Sequence, residues 1–189
     1  MKIIAIDVGN SETTIGVGNS QGWQGYRFTT RKTVTSDELL MMFKTIIDNP
    51  LIKEGLIEGA IICSVVPEIT NSVSEATSRF ISKDVLTVGP GVKTGLKVNI
   101  DNPKELGPDR IANSIGGYSK ASSEVIVVDL GTATTFDIVN TKKEYLGGSI
   151  APGIKISLDA LTSKTSSLKS VELETPKNVI GKNTYEAIQ

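Results

Sequence analysis

An internal repeat restricts the fold of this chain more than any other feature of its sequence. Residues 125–132 (VIVVDLGT) restate residues 3–10 (IIAIDVGN), and in each copy a threonine follows six positions after the aspartate. The β-branched run that opens each copy predicts a buried strand, and the Asp-x-Gly after it predicts a tight turn. A second alternating run follows each turn and predicts a hairpin. The chain is therefore expected to contain two related units that open on the same hairpin.

The segments between the two copies alternate between strand and helix patterns. Thr35 and Glu38 form a capping box before a run with helical spacing, and that helix is expected to end at residues 49–50 (Asn-Pro). Residues 60–66 are an apolar run stopped by proline, which is typical of a buried parallel strand. Pro108 suits the first turn of a further helix. Strands that alternate with helices indicate an α/β fold.

The repeat also predicts the domain organisation. Residues 1–117 are expected to form the first domain, and residues 118–189 a second domain that begins with the second hairpin. Asn183 and Glu186 form a further helix-start pattern close to Gln189. A helix that stops within its first turn presents no amphipathic face. We therefore expect a second domain that is incomplete at its C-terminal end, as in a shortened version of a longer ancestral domain pair.

Composition excludes several classes of function. The 189 residues carry 20 Lys plus Arg against 21 Asp plus Glu, a balance that argues against a broad basic surface for nucleic acid. Histidine is absent and Cys63 is the single cysteine, which excludes Ser-His-Asp chemistry, Cys-His chemistry and ordinary zinc sites. Cys63 lies within an apolar strand pattern and is expected to be a small core residue. No stretch reaches the roughly 20 apolar residues of a membrane span, and we expect a cytoplasmic protein.

The two repeated turns carry the clearest chemical signal. Glycine lets the backbone approach an anion, and backbone N–H groups in such a turn form an anion cradle. Aspartate at the strand end suits a cation that offsets phosphate charge. A single turn of this kind is more often structural, whereas two that face each other across a cleft favour phosphate binding. The residues of these turns are Asp7, Gly9, Asn10, Ser11, Asp129, Gly131 and Thr132.

Two further clusters have both a structural and a functional interpretation. Residues 107–113 (GPDRIAN) form either a surface helix start, with Asp109 favoured by the helix dipole, or a substrate site. In the second case Asp109 is a base for an acceptor hydroxyl and Arg110 binds an anionic group. Residues 145–153 (YLGGSIAPG) are either a structural turn or a point of close backbone packing at a domain junction or ligand.

Five segments in this order and spacing resemble the type III pantothenate kinases. They are residues 7–11, 107–110, 129–135, 147–153 and 180–184. The resemblance implies duplicated ribonuclease-H-like (actin-like ATPase) domains with ATP in the cleft between them. It also implies transfer of the ATP γ-phosphoryl group to the primary hydroxyl of pantothenate, the first step of coenzyme A biosynthesis. Members of this family are homodimers.

The resemblance also implies a role for each matching position. At the pantothenate site it places the catalytic base Asp109 with Gly107, Pro108, Arg110 and, from the other subunit of a dimer, Thr184. At the ATP phosphates it places Asp7, Gly9, Asn10, Ser11, Gly131 and Thr132. For metal ions it assigns Asp7 to Mg²⁺ and Asp129 to a monovalent cation, K⁺ or NH₄⁺.

Two departures from the family pattern leave alternatives open. Family members continue beyond the position of Gln189 with a segment that completes the adenosine pocket, and residues 165–169 (TSSLK) stand where the family typically has Thr-Ala-x-Leu-Pro. One alternative is an actin-like kinase with another small-molecule acceptor. The other is a non-catalytic or regulatory homologue without a complete adenosine pocket, like the accessory transcription factors that resemble this family.

Overall fold

The computed structural model describes residues 2–47, 57–89, 91–165, 168 and 171–188. Within these residues the strands are β1 (Lys2–Val8), β2 (Glu12–Asn19), β3 (Gly22–Thr29), β4 (Ile57–Ser64), β5 (Val85–Thr87), β6 (Lys97–Val98), β7 (Val125–Leu130), β8 (Ala133–Val139) and β9 (Glu144–Pro152). The helices are α1 (Ser36–Ile47), α2 (Pro67–Ile81), α3 (Pro108–Ala121), α4 (Ile154–Lys164) and α5 (Thr184–Ile188), with one 3₁₀ turn at Pro103–Glu105.

The first sheet has the strand order β3-β2-β1-β4-β5. Its first three strands are antiparallel, whereas β4 runs parallel to both β1 and β5. This order, with helices between the parallel strands, is that of a ribonuclease-H-like domain. The expected α/β class and the buried parallel strand after the first helix are thereby confirmed.

The core of the first unit lies between this sheet and two helices. Side chains that alternate along β1, such as Ile4 and Val8, are buried against Phe43 of α1 and Val73 of α2. Alternation with period two turns every second residue of a half-buried strand to the same face. The intervening residue Asp7 consequently points to the opposite side of the sheet, away from this core.

The start of α1 is set by the predicted capping box. The backbone N–H of Thr35 donates to Oε2 of Glu38 at 2.9 Å, and the backbone N–H of Glu38 donates to Oγ1 of Thr35 at 3.3 Å. These bonds, led by the backbone donor at Thr35, lower the pKa of Glu38. The reciprocal pair satisfies two donors that lack intrahelical partners. The predicted end of this helix at residues 49–50 lies outside the described residues.

The second sheet has the order β6-β9-β8-β7, in which β7, β8 and β9 are antiparallel and β6 runs parallel to β9. Its inner face buries Val139 and Tyr145 against Ile111 of α3. Its outer face is formed by β7 and β8 and is exposed to solvent. The large apolar side chains on this outer face are Ile126, Val128, Leu130, Phe136 and Ile138.

The two repeated hairpins differ by one residue in register. Val8 lies opposite Thr13 in the first hairpin, whereas Asp129 lies opposite Thr135 in the second. The sequence repeat aligns the two threonines, so the second turn is tighter than the first. The predicted pair of hairpins is confirmed, but their turns have different shapes.

Helix α3 joins the two units, because it contacts β4 of the first sheet and both β7 and β8 of the second. It begins at Pro108, as predicted, and continues to Ala121. The predicted domain boundary between residues 117 and 118 lies within this helix. The division of the chain into two domains at this point stays a prediction. The N-terminal end of α3 carries the cluster that the sequence singled out, and this end lies beside both repeated turns.

Candidate active site

The structure brings the two repeated turns into contact. Oγ of Ser11 lies 2.9 Å from Oγ1 of Thr132, a hydrogen bond between residues 121 positions apart in the chain. Each turn is closed by its glycine: the N–H of Gly9 donates to the carbonyl of Glu12 at 3.0 Å, and the N–H of Gly131 donates to the carbonyl of Ala133 at 2.9 Å. The two strand ends therefore face each other, as the repeat predicted.

Three carboxylates lie around these turns. Asp7 and Asp129 lie near the ends of β1 and β7, and Asp109 lies in the first turn of α3. Desolvation by burial raises the pKa of Asp7, and repulsion from Asp109 and Asp129 raises it further. Nδ2 of Asn113 donates to Oδ2 of Asp129 at 2.8 Å, which fixes the plane of that carboxylate. The site thus concentrates negative charge beside the turns.

Cys63 lies next to Asp7 on the neighbouring strand β4. The thiol is buried, and burial, followed by the charges of Asp7 and Asp109, raises its pKa to about 12. A thiol with such a pKa is protonated at neutral pH and is not a nucleophile. The expectation that Cys63 is a small core residue is confirmed.

The cluster at the start of α3 is folded around Gly107. Oδ1 of Asp109 accepts a hydrogen bond from the backbone N–H of Arg110 at 2.8 Å. A Cβ atom at position 107 would collide with this oxygen, so the glycine makes room for the Asp109 carboxylate. Pro108 occupies the first helical position, where its missing N–H costs no hydrogen bond. Asp109 is therefore held at the helix N-terminus, close to Asp7.

Arg110 points from α3 to the inner face of the second sheet. Its Nε donates to Oδ1 of Asp137 at 2.8 Å, and its Nη2 lies 2.7 Å from the same oxygen. The hydroxyl of Tyr145 also donates to Oδ1 of Asp137, at 2.8 Å. No sequence pattern predicted a role for Asp137 or for the Tyr145 hydroxyl. A signal was present, since Asp137 lies in phase with the inward-facing Thr135 and Val139.

The glycine-rich segment of β9 is a point of close backbone packing, one of its two predicted interpretations. A bulge interrupts the pairing of β8 with β9, and Gly147 adopts a φ of +124° there, which favours glycine. Gly148 then lies opposite Asp137, and a Cβ atom at this position would lie 2.7 Å from Nη2 of Arg110. Gly153 donates its N–H to the carbonyl of Thr132 at 3.1 Å and packs the start of α4 against the second turn.

Thr184 begins the short helix α5, and its side chain is exposed. The predicted helix start is confirmed, since Oδ1 of Asn183 accepts a hydrogen bond from the N–H of Glu186 at 2.9 Å. A role for Thr184 at the pocket of another subunit requires a second chain and stays a prediction.

Two kinds of feature are absent from the described residues. No group of three or more Asp, Glu, Cys or His side chains in the described part of the chain could hold a metal ion by itself. No helix among the same residues is long and apolar enough to cross a membrane.

The fold is similar to that of another protein of known structure. It is a conserved protein assigned to the Baf family of transcriptional activators from Campylobacter jejuni, with a TM-score of 0.56 and 20% sequence identity. The match covers 98% of this chain and 71% of that chain. At this level of identity the likeness supports the fold alone.

Comparison of the sequence gives a closer relationship. A type III pantothenate kinase from Exiguobacterium is 40% identical over 188 residues, which are 99% of this chain and 74% of that protein. A type III pantothenate kinase from Geobacillus kaustophilus is 41% identical over 188 residues, with 99% and 73% covered. The family model for type III pantothenate kinases matches residues 3–189. The chain therefore belongs to the type III pantothenate kinase family.

Proposed function

We propose that the protein transfers the γ-phosphoryl group of ATP to the primary hydroxyl of pantothenate, the first step of coenzyme A biosynthesis. The observation that carries this proposal is the contact between Ser11 and Thr132, which brings two phosphate-type turns together beside Asp109. Phosphoryl transfer depends mainly on positioning and on electrostatic stabilisation. A chain without histidine can supply both with carboxylates, hydroxyls and backbone donors.

The two turns are the proposed binding site for the ATP phosphates. Backbone N–H groups and the hydroxyls of Ser11 and Thr132 are donors for phosphate oxygens. Membership of the kinase family implies that the protein uses ATP. The other proposed phosphate-binding residues are Asp7, Gly9, Asn10 and Gly131.

The residues near the turns fit a divalent cation held with the help of the nucleotide. Carboxylate oxygens are ligands that Mg²⁺ prefers, and Mg²⁺ is usually held by one or two carboxylates together with substrate phosphates and water. Burial raises the pKa of Asp7 most, the charges of Asp109 and Asp129 raise it further, and a bound cation would offset those charges. We assign Asp7 to Mg²⁺, whose chemistry is to neutralise charge on the transferred phosphoryl group. Asp129, oriented by Asn113, is assigned to K⁺ or NH₄⁺.

Asp109 is the proposed base. It lies at the start of α3, close enough to Asp7 for its charge to contribute to the raised pKa of that carboxyl. In this role it accepts the proton of the acceptor hydroxyl as the oxygen attacks the γ-phosphorus. Gly107 and Pro108 shape the pocket around it, and Arg110 binds the carboxylate of pantothenate. The protein is proposed to be a cytoplasmic homodimer. In this dimer, Thr184 of each subunit reaches the pantothenate site of the other.

The experiment that tests this function follows pantothenate and ATP consumption by the full chain, with 4′-phosphopantothenate identified by mass spectrometry. Asp109→Asn is expected to lower kcat by about 10²- to 10⁴-fold, since it removes a general base. Asp84→Asn, an exposed change of the same chemistry, is the control and is expected to retain activity. ATP consumption that is independent of pantothenate, or full activity of Asp109→Asn, would overturn the proposal.

A further inference from the structure

A fully buried carboxylate lies behind Arg110. Asp137 is 0% exposed, and the Arg110 side chain is 16% exposed. We propose that Asp137, together with Tyr145, is a positioning residue that fixes the Arg110 guanidinium in the orientation in which it binds the acceptor carboxylate. This inference rests on the proposed function for the identity of the acceptor, whereas the arrangement of the three side chains belongs to the protein itself.

The contacts define a fixed orientation. Nε of Arg110 donates to Oδ1 of Asp137 at 2.8 Å, and the Tyr145 hydroxyl donates to the same oxygen at 2.8 Å. Oγ1 of Thr135 donates to the second oxygen, Oδ2, at 3.3 Å. Because both carboxylate oxygens are engaged, the Asp137 side chain cannot rotate without loss of hydrogen bonds in a buried environment.

Tyr145 supports the pair in two ways. The centre of the guanidinium lies 5.8 Å from the centroid of its ring, within the range of a cation–π contact. Burial, and then the hydrogen bond to Asp137, raises the pKa of the phenol. Tyr145 consequently stays protonated at neutral pH and acts as a donor to Asp137.

The position of the guanidinium leaves donors for a ligand. A guanidinium has five N–H donors, and Nε is used by Asp137. Nη2 is buried and, although close to Asp137, it has no hydrogen-bond partner of adequate geometry in the described part of the chain. Gly148 packs closely against this nitrogen, since a Cβ atom there would lie 2.7 Å from Nη2. The Arg110 side chain as a whole is 16% exposed, and we assign the two N–H groups of the remaining nitrogen, Nη1, to the ligand carboxylate.

The kinetic test compares Asp137→Asn, Tyr145→Phe, Arg110→Gln and the double variant of Asp137 and Arg110. Asp137→Asn is expected to raise the KM for pantothenate by about tenfold or more, since it breaks a buried hydrogen-bonded charge pair, while the KM for ATP changes by less than about twofold. Tyr145→Phe keeps the charge pair and is expected to raise the pantothenate KM by about two- to fivefold. This variant decides the question if Asp137→Asn does not fold.

The double variant separates positioning from a general structural role. If Asp137 acts through Arg110, Asp137→Asn in the Arg110→Gln background is expected to change the pantothenate KM by less than about twofold. Equal increases in the KM values for ATP and pantothenate, or additive effects in the double variant, would overturn the proposal.

A second measurement does not depend on the acceptor. The ¹Hε–¹⁵Nε resonance of Arg110 is expected to exchange slowly with solvent in the unmodified protein and rapidly in Asp137→Asn. Arg27, whose side chain is largely exposed, supplies the reference for rapid exchange. Exchange of Arg110 as fast as that of Arg27 in the unmodified protein would overturn the proposal. If the protein does not phosphorylate pantothenate, the proposed function fails and this measurement alone decides the role of Asp137.

Discussion

The two repeated strands place matching residues in opposite environments. Ile4 is 2% exposed and Val8 is 0% exposed, whereas their counterparts in the repeat, Ile126 and Leu130, are 62% and 67% exposed. Helices α1 and α2 cover the first set, and no described element covers the second. The same run of apolar residues therefore produces the same strand in both units, but its contribution to stability depends on what packs against it.

The largest expected difference between the two units follows from a matched pair of truncations. Ile4→Ala is expected to lower the free energy of unfolding by about 2–5 kcal/mol, because it removes buried methyl groups and leaves a cavity. Ile126→Ala is expected to change it by less than about 0.5 kcal/mol, as is usual for exposed positions. Urea denaturation of both variants measures the difference. Equal losses would show that the outer face of the second sheet is covered in solution.

The two helix-start patterns, Thr35 with Glu38 and Asn183 with Glu186, extend the comparison to helices. Thr35→Ala is expected to lower the free energy of unfolding by about 1 kcal/mol, because the capped helix α1 contributes Phe43 to the core. Asn183→Ala is expected to cost only a few tenths of a kcal/mol, since a helix as short as α5 is marginal by itself. Thermal unfolding followed by circular dichroism compares the variants, and Thr35→Ser, which keeps the hydroxyl, is the control for the first. A larger loss from Asn183→Ala would contradict this ranking.

The smallest expected effect concerns the first of the two repeated aspartates. The pKa of Asp7 is raised in the folded protein, so deprotonation of this carboxyl lowers the free energy of unfolding of the ligand-free protein. The stability that the protonated form gives at low pH is therefore lost as the pH rises through the folded-state pKa. Asp7→Asn is therefore expected to stabilise the ligand-free protein slightly at neutral pH. The gain should vanish below the pKa of an unfolded aspartate.

Denaturation curves between acidic and neutral pH measure this dependence. Asp84→Asn, which changes an exposed carboxylate away from the cluster, is the control. A stability gain from Asp7→Asn that is the same at every pH would show that the charge of Asp7 is not its cause.

Local patterns in the sequence predicted much of this fold. The hairpins, the capping box at Thr35 and the start of α3 at Pro108 depend on a few neighbouring residues, and all were found. The register of the second hairpin was not predictable, because the repeat aligns Thr13 with Thr135 although the turns differ in length. The continuity of α3 across the predicted domain boundary was not predictable either, because composition does not show whether a helix spans such a boundary.

The candidate site was predictable from the repeat at the two turns and from a local motif at the start of α3. The contact between the two turns follows from the repeat, since equivalent strand ends were expected to face each other. The pairing of Arg110 with Asp137 joins residues 27 positions apart, on α3 and β8, and no local pattern reveals it. The roles assigned to the site residues remain predictions for the experiments above.

The hydrogen bond between Ser11 and Thr132 has a consequence for how an anion enters the site. Only one of the two hydroxyls donates in this 2.9 Å contact, so the other keeps its proton for an outside acceptor. In the proposed phosphate site, an anion that also took up the donating proton would replace this direct contact with one contact from each turn. The two turns would then be joined through the anion instead of through each other.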